Sequence, residues 1–207
     1  MLRRFLALAL TLVAIQNASA AVIAFTVPDS PLVLPNFVAS DPVYTLGYTF
    51  TVGADDIRIT KLGFFDMIND GLGTSHEITI WDSQGTVVGT ATVPSGTTAA
   101  LEARYRYVDL ATSFVLSANT EYTIGATMYG NPDLALNLGD ELITASPGVT
   151  LGERRSSNDA NFPTENTKFY GQYMTANFQY EVVPEPGAYL MVGLGLASIG
   201  FVRRKRR

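Results

Sequence analysis

Apolar and polar residues alternate along the middle of the chain, and no stretch there keeps a helical period. Tyr122, Ile124, Ala126 and Met128 alternate with polar or small neighbours, which is typical of a strand with one buried face. Glycine, proline, asparagine, aspartate and serine separate such segments. The pattern predicts strands over residues 22–27, 44–52, 57–65, 76–81, 86–93, 104–110, 121–129 and 169–182.

Local signals add detail to these strands. The turn sequence at residues 82–85 should join strands 76–81 and 86–93 as a hairpin, and a change of parity in the apolar face predicts a bulge near Lys61. Residues 131–167 give weaker signals and read as one or two short strands and a long surface loop. Together the strands predict an all-β domain over residues 21–182, a jelly-roll-like antiparallel sandwich of two sheets.

The N-terminus has the parts of an export signal. Arg3 and Arg4 precede an apolar run over residues 5–15, and small residues follow at Ala18 and Ala20. We therefore predict a signal helix over residues 1–20, which signal peptidase removes after Ala20.

The C-terminus (183–207) has three parts in order. Pro184, Glu185 and Pro186 form a hinge, and residues 187–202 carry no charge. Those 16 residues predict a transmembrane helix of about 24 Å, and snorkelling and local thinning would fit it to a ~30 Å hydrocarbon core. A basic tail closes the chain: Arg203, Arg204, Lys205, Arg206 and Arg207. Such a tail favours the cytoplasm, which places the domain outside it.

These three ordered features resemble the PEP-CTERM protein-sorting signal of Gram-negative bacteria. The resemblance implies export, recognition by an exosortase and cleavage near the Pro-Glu-Pro motif. It also implies at least transient anchoring in the inner membrane, then the cell surface or an extracellular matrix of exopolysaccharide or biofilm. An ordinary single-span anchor is the alternative.

Charge and composition exclude several functions. Residues 21–182 hold 7 basic and 18 acidic side chains, a net charge of −11, so nucleic acid is not an expected partner. With no cysteine and one histidine, disulfides, thiol nucleophiles and multi-histidine metal sites are excluded.

Several short motifs resemble, in order, the exported β-sandwich domain of unknown function known as DUF4082. They are Leu62-Gly63-Phe64-Phe65-Asp66, Asp70-Gly71-Leu72, Ser75-His76, Ile80-Trp81-Asp82, Ala91-Thr92-Val93-Pro94, Arg106-Tyr107-Val108 and Tyr122-Thr123-Ile124-Gly125-Ala126. The resemblance covers about residues 44–129 and implies an extracellular sandwich with no catalytic residues to carry over.

Two positions are candidates for chemistry near the middle of the domain. His76 should be a structural histidine that donates to a carboxylate such as Asp70 or Asp66, because the adjacent Ser75 points to the opposite face. Asp66, Asn69 and Asp70 could ligate calcium through oxygen atoms. A plain turn is the simpler interpretation of that loop, since Asn and Asp are preferred turn residues.

Aromatic side chains offer a second kind of site. Trp81 lies opposite Ile78 and Ile80 in the alternation, so it faces either solvent or the second sheet. An exposed ring would stack on a sugar, whereas aromatic residues also fill sandwich cores. The tyrosines open to the same two interpretations are Tyr105, Tyr107, Tyr122, Tyr129, Tyr170, Tyr173 and Tyr180.

The sequence therefore predicts a non-enzymatic exported surface or matrix protein that is structural or binds glycans, with no required cofactor. A matrix polysaccharide hydrolase with a carboxylate pair and a membrane-anchored interaction module are the alternatives.

Overall fold

The structure is a computed structural model, and it describes residues 20–28, 43–129, 133–166 and 171–184. In these residues the elements are strands, apart from one 3-10 turn at Asp140–Leu142. The strands are β1 (Val22–Ile23), β2 (Phe25–Thr26), β3 (Tyr44–Val52), β4 (Ile57–Phe65), β5 (His76–Asp82), β6 (Val87–Val93), β7 (Ala100–Glu102), β8 (Tyr105–Leu116), β9 (Glu121–Met128), β10 (Asn137–Leu138), β11 (Thr144–Ala145), β12 (Val149–Ser157), β13 (Gln172–Tyr173) and β14 (Ala176–Val182).

The described strands form two five-stranded antiparallel sheets. The first sheet has the order β1-β14-β4-β8-β7, and the second has the order β12-β3-β9-β5-β6. Two short pairs, β10 with β13 and β11 with β2, accompany them. The predicted two-sheet antiparallel sandwich is confirmed, whereas the predicted helices at 1–20 and 187–202 lie outside the described residues.

Aromatic side chains pack between the two sheets. Phe50 of β3 meets Phe178 of β14 with 4.7 Å between the ring centroids. The Tyr48 hydroxyl donates across the same gap to the carbonyl oxygen of Ala176, at 3.1 Å. Phe25 completes the contact, edge-on to Tyr48. These rings are fully buried, and their burial is the main source of stability at this end of the sandwich.

The local predictions for the central strands are confirmed. The bounds of β3 and β4 are those predicted, and β5 and β6 pair across the turn at residues 82–85. The register of β4 against β8 shifts between Ile59 and Lys61, which is the bulge that the change of parity predicted.

The prediction for residues 131–167 was wrong in one respect. Val149–Ser157 is a nine-residue strand, β12, at the edge of the second sheet, not part of a loop. Its alternation is hidden because the register shifts between Leu151 and Arg154, and charged residues occupy the shifted stretch. The strand predicted over 104–110 also extends further, to Leu116, because β4 continues to pair with it beyond the bulge.

Candidate functional site

A groove of about 390 Å³ opens at one end of the sandwich, where β4 ends and β5 begins. The loop after β4 forms most of its wall, and Gly96, Asp133 and Leu134 complete the lining. Two polar anchors, one centred on Arg106 and the other on His76, hold this wall in place.

The first anchor is a buried ion pair between Arg106 and Asp66. Arg106 Nε donates to Asp66 Oδ2 at 2.8 Å, and the side chains are only 6% and 2% exposed. The backbone N–H of Gly71 donates to the same oxygen at 3.0 Å. The rest of the guanidinium donates to the carbonyl oxygens of Thr97, Ala99 and Asn69 at 3.2–3.3 Å. One arginine thus fixes both sides of the groove, since its donors match several acceptors at once.

The loop backbone fits closely against its neighbour. Asn69 has a φ of 62° and Gly71 a φ of 110°, a left-handed conformation that favours asparagine and glycine. A Cβ atom on Gly71 would lie 2.9 Å from the carbonyl carbon of Gly96. Leu72 and Gly96 exchange two backbone hydrogen bonds of 3.1 and 2.6 Å. These contacts therefore hold the groove wall in a single conformation.

The second anchor joins His76 to Asp133. His76 Nε2 lies 2.8 Å from Asp133 Oδ2, and Nδ1 lies 3.0 Å from the carbonyl oxygen of Thr127. Both ring nitrogens therefore have hydrogen-bond partners, which fix the orientation of the imidazole. The ring also stacks on Phe64, with 3.7 Å between centroids.

Asp133 accepts further hydrogen bonds from the groove loop. The backbone N–H groups of Gly73 and Thr74 donate to its two oxygens at 2.9 and 3.0 Å. Burial by itself would raise the pKa of Asp133, but the hydrogen bonds from His76, Gly73 and Thr74 and the charge of His76 hold it below its ordinary value. Asp133 is thus an anion that organises the loop.

These contacts correct the partner predicted for His76. The carboxylate is Asp133, not Asp66 or Asp70, because Arg106 already engages Asp66. Asp133 lies in the weakly patterned region after β9, where no local signal in the sequence could have singled it out.

The loop does not have the arrangement of a calcium site. The Arg106 guanidinium occupies the position beside the Asp66 carboxylate that a calcium ion would take. The backbone carbonyl oxygen of Asn69 accepts a hydrogen bond from the same arginine. Asp70 is exposed. Across the described ranges no group of three or more His, Asp or Glu side chains is placed to hold a metal ion. The turn interpretation of Asp66, Asn69 and Asp70 accounts for these contacts without a metal.

Trp81 does not offer an open ring face. It is 5% exposed, and Phe162 covers it edge-on with 5.9 Å between centroids. The structure therefore gives no support to Trp81 as a glycan contact. Tyr129 is 43% exposed instead, and it follows the end of β9 beside Thr127, whose carbonyl oxygen faces His76. The sequence included Tyr129 among seven tyrosines without a signal that distinguished it.

The chain leaves the sandwich at the opposite end. Val182, the last residue of β14, pairs with Ile57, the first residue of β4, whereas Phe65 at the other end of β4 lines the groove. Pro184 is exposed. The rest of the predicted sorting signal lies outside the described residues: Glu185, Pro186, Arg203, Arg204, Lys205, Arg206 and Arg207.

Two family models match the chain. The model of the domain of unknown function DUF4082 matches residues 33–175, more than half of the chain. The chain belongs to the DUF4082 family. The model of the PEP-CTERM protein-sorting motif matches residues 182–207 of this DUF4082 protein, so both predicted resemblances are confirmed. No curated protein matches the chain.

The sorting motif establishes the route of this DUF4082 protein. It is an exported protein that an exosortase sorts. Over the described residues no helix is both long and apolar enough to cross a membrane.

Proposed function

We propose that this protein is a non-enzymatic component of the cell surface or exopolysaccharide matrix, and that its groove binds glycan. The groove carries the proposal. Its volume of about 390 Å³ lies within the range of ~300–1,000 Å³ that is typical of small-molecule sites.

The groove end combines fixed polar groups with exposed apolar side chains. Asp133 and the backbone of the loop after β4 are held by the two anchors, so little order would be lost on binding. Ile68 in the wall is 71% exposed. Tyr129 lies outside the lining itself, just after β9, which ends beside the start of β5 at this end of the sandwich, and it is 43% exposed. A sugar ring presents hydroxyl groups at its rim and C–H groups on its face, and such a surface offers partners for both.

The location of the groove supports the same proposal. β4 has nine residues and therefore spans about 30 Å from the exit of the chain to the groove. This separation between the groove and the point where the chain leaves the sandwich favours a role for the groove in binding polysaccharide.

The alternative, a matrix polysaccharide hydrolase, is less well supported. Glycosidases commonly need one carboxylic acid that stays protonated as a proton donor. In the groove, Asp66 is paired with Arg106, and the pKa of Asp133 is held below its ordinary value. Asp70, the third carboxyl of the lining, is exposed, and the described lining offers no second carboxyl free of such a partner for a catalytic pair.

Binding of matrix polysaccharides to the full-length chain in mild detergent tests the proposal. We expect saturable binding that Tyr129→Ala weakens about 2- to 12-fold, since stacking of one aromatic ring contributes roughly 0.5–1.5 kcal/mol. Tyr129→Phe keeps the ring and should bind as the parent does. Leu142→Ala, at an exposed apolar residue outside the groove lining, is the matched control.

Two results would contradict the proposal. The absence of binding to every polysaccharide would argue against glycan, and release of reducing sugar ends would show that the protein is an enzyme. A chelator arm tests calcium separately, since we expect binding to persist without divalent cations.

A further inference from the structure

The outer edge of β6, which pairs with no other strand among the described residues, lacks the protection that the other sheet edges have. β6 is the last strand of the second sheet, and its seven residues include no charged residue and no proline. Among the described residues, none donates or accepts a backbone hydrogen bond on its outer side. Such an edge can pair with another strand unless it is protected.

The first sheet is also open on this side. β7 pairs only with Tyr105–Tyr107 of β8, so among the described strands the later part of β8 has no neighbour beyond it. Residues 110–116 of that part are uncharged. Gly89 of β6 packs directly against the Phe114 ring of β8, since a Cβ atom on Gly89 would lie 2.1 Å from that ring. β6 and residues 110–116 of β8 therefore lie next to each other and form a surface without charged residues.

The other edges are protected. β12 at the opposite edge of the second sheet carries Glu153, Arg154 and Arg155 and a register shift. Ser156 of β12 also exchanges two backbone hydrogen bonds of 2.9 Å with Glu165. β1 and β7 at the edges of the first sheet have only two and three residues. Charges, bulges and short strands are the usual means of preventing edge pairing.

We propose that β6 is an interface at which two copies of this chain pair edge to edge, antiparallel, about a two-fold axis at Thr90. A second copy suits this edge because it offers the same uncharged strand, so no acidic side chain of either β6 would lie in the contact. Pairing would then need no charge to be neutralised or desolvated.

The side chains of β6 fit this register. Thr90 is exposed and its hydroxyl lies 3.0 Å from that of Thr79 on β5. The same hydroxyl donates to the carbonyl oxygen of Ile78 at 3.0 Å. A two-fold axis at Thr90 would place the two small, uncharged Thr90 side chains opposite each other. Gly89 would face Ala91 of the other copy, so no bulky group hinders the approach.

Sedimentation of the full-length chain in density-matched detergent gives the first test. We expect a dimer whose apparent dissociation constant rises at least about tenfold in Thr90→Lys, since two like charges would then face each other. Thr150→Lys places the same charge on an exposed threonine of β12 and should leave the dimer unchanged. A monomer in the parent chain, or a dimer equally insensitive to both substitutions, would overturn the proposal.

Cysteine cross-linking gives the second test, because the chain contains no cysteine of its own. Opposite residues of an antiparallel pair have Cβ atoms about 4.5–5.5 Å apart, which is close to the reach of a disulfide. Mild oxidation of Thr90→Cys should therefore give covalent dimers several-fold faster than oxidation of Thr150→Cys. Equal rates for the two variants would show that β6 is not the interface.

Discussion

The two anchors of the groove hold the same loop, the one after β4, with different chemistry. In the Arg106–Asp66 pair both side chains are nearly inaccessible, and a guanidinium keeps its charge at every ordinary pH. In the His76–Asp133 pair the partner of the carboxylate is an imidazole ring, and the carboxylate is 10% exposed and lines the groove. The first anchor is therefore part of the buried interior. The second lies closer to solvent, and it shapes the part of the wall that a ligand would meet.

The largest loss in the free energy of unfolding should come from breaking the first anchor, the Arg106–Asp66 pair. Arg106→Met leaves Asp66 buried without its cation, which typically costs about 3–5 kcal/mol. Urea unfolding of the full-length chain, followed by fluorescence of its single tryptophan, measures this loss. Arg155→Met is the control, because its pair with the exposed Glu153 should contribute at most about 1 kcal/mol. If both variants lost the same free energy of unfolding, the Arg106–Asp66 pair would contribute no more to stability than an exposed ion pair.

Breaking the second anchor, the His76–Asp133 pair, should lower the free energy of unfolding by less than breaking the first. Asp133→Asn keeps the shape of the side chain but leaves the His76 ring without a carboxylate, so we expect a loss of about 1–3 kcal/mol. Asp133→Asn should also weaken polysaccharide binding more than Asp140→Asn does, since Asp140 is exposed and serves as the control. Stability and binding that both stay at the parent values would show that the wall does not depend on this pair.

Acid should weaken the second anchor selectively. The folded-state pKa of Asp133 lies below its ordinary value, so its contribution is complete above the unfolded pKa of about 3.9 and is lost as the pH falls through the folded pKa. The difference in unfolding free energy between the parent and Asp133→Asn should therefore be constant from pH 7 to about 5 and shrink below about 4. A difference that grows on acidification would contradict the direction of the shift.

The smallest change should come from the hydroxyl group beside the second anchor. Thr74 Oγ1 lies 3.4 Å from Asp133 Oδ2 and 3.3 Å from His76 Nε2, both long for hydrogen bonds. Thr74→Val should thus lower the free energy of unfolding by no more than about 1 kcal/mol. Thr98→Val, at an exposed threonine, sets the background, and a loss as large as that of Asp133→Asn would place Thr74 within the anchor itself.

The sequence predicted the features that depend on neighbours along the chain. β3, β4, the hairpin at residues 82–85 and the bulge before Lys61 all follow from local alternation and turn residues. β12 was missed because an edge strand need not alternate, and its charges protect the edge.

The contacts of the groove could not be predicted, because their partners are far apart in sequence. Asp66 and Arg106 are separated by 40 residues, and His76 and Asp133 by 57. With 18 acidic residues between positions 21 and 182, alternation gives no reason to choose one carboxylate. It left Trp81 facing either solvent or the second sheet, and the cover over that ring comes from Phe162 in a distant loop.

The position of β14 has a mechanical consequence. This strand lies between β1 and β4 in the first sheet, pairs with β4 at seven positions, and ends just before the sorting signal. Tension between a polysaccharide held in the groove and an attachment beyond Val182 would pull along β14, nearly parallel to β4. All of the paired positions would then bear the load together in shear, instead of opening one after another like a zipper.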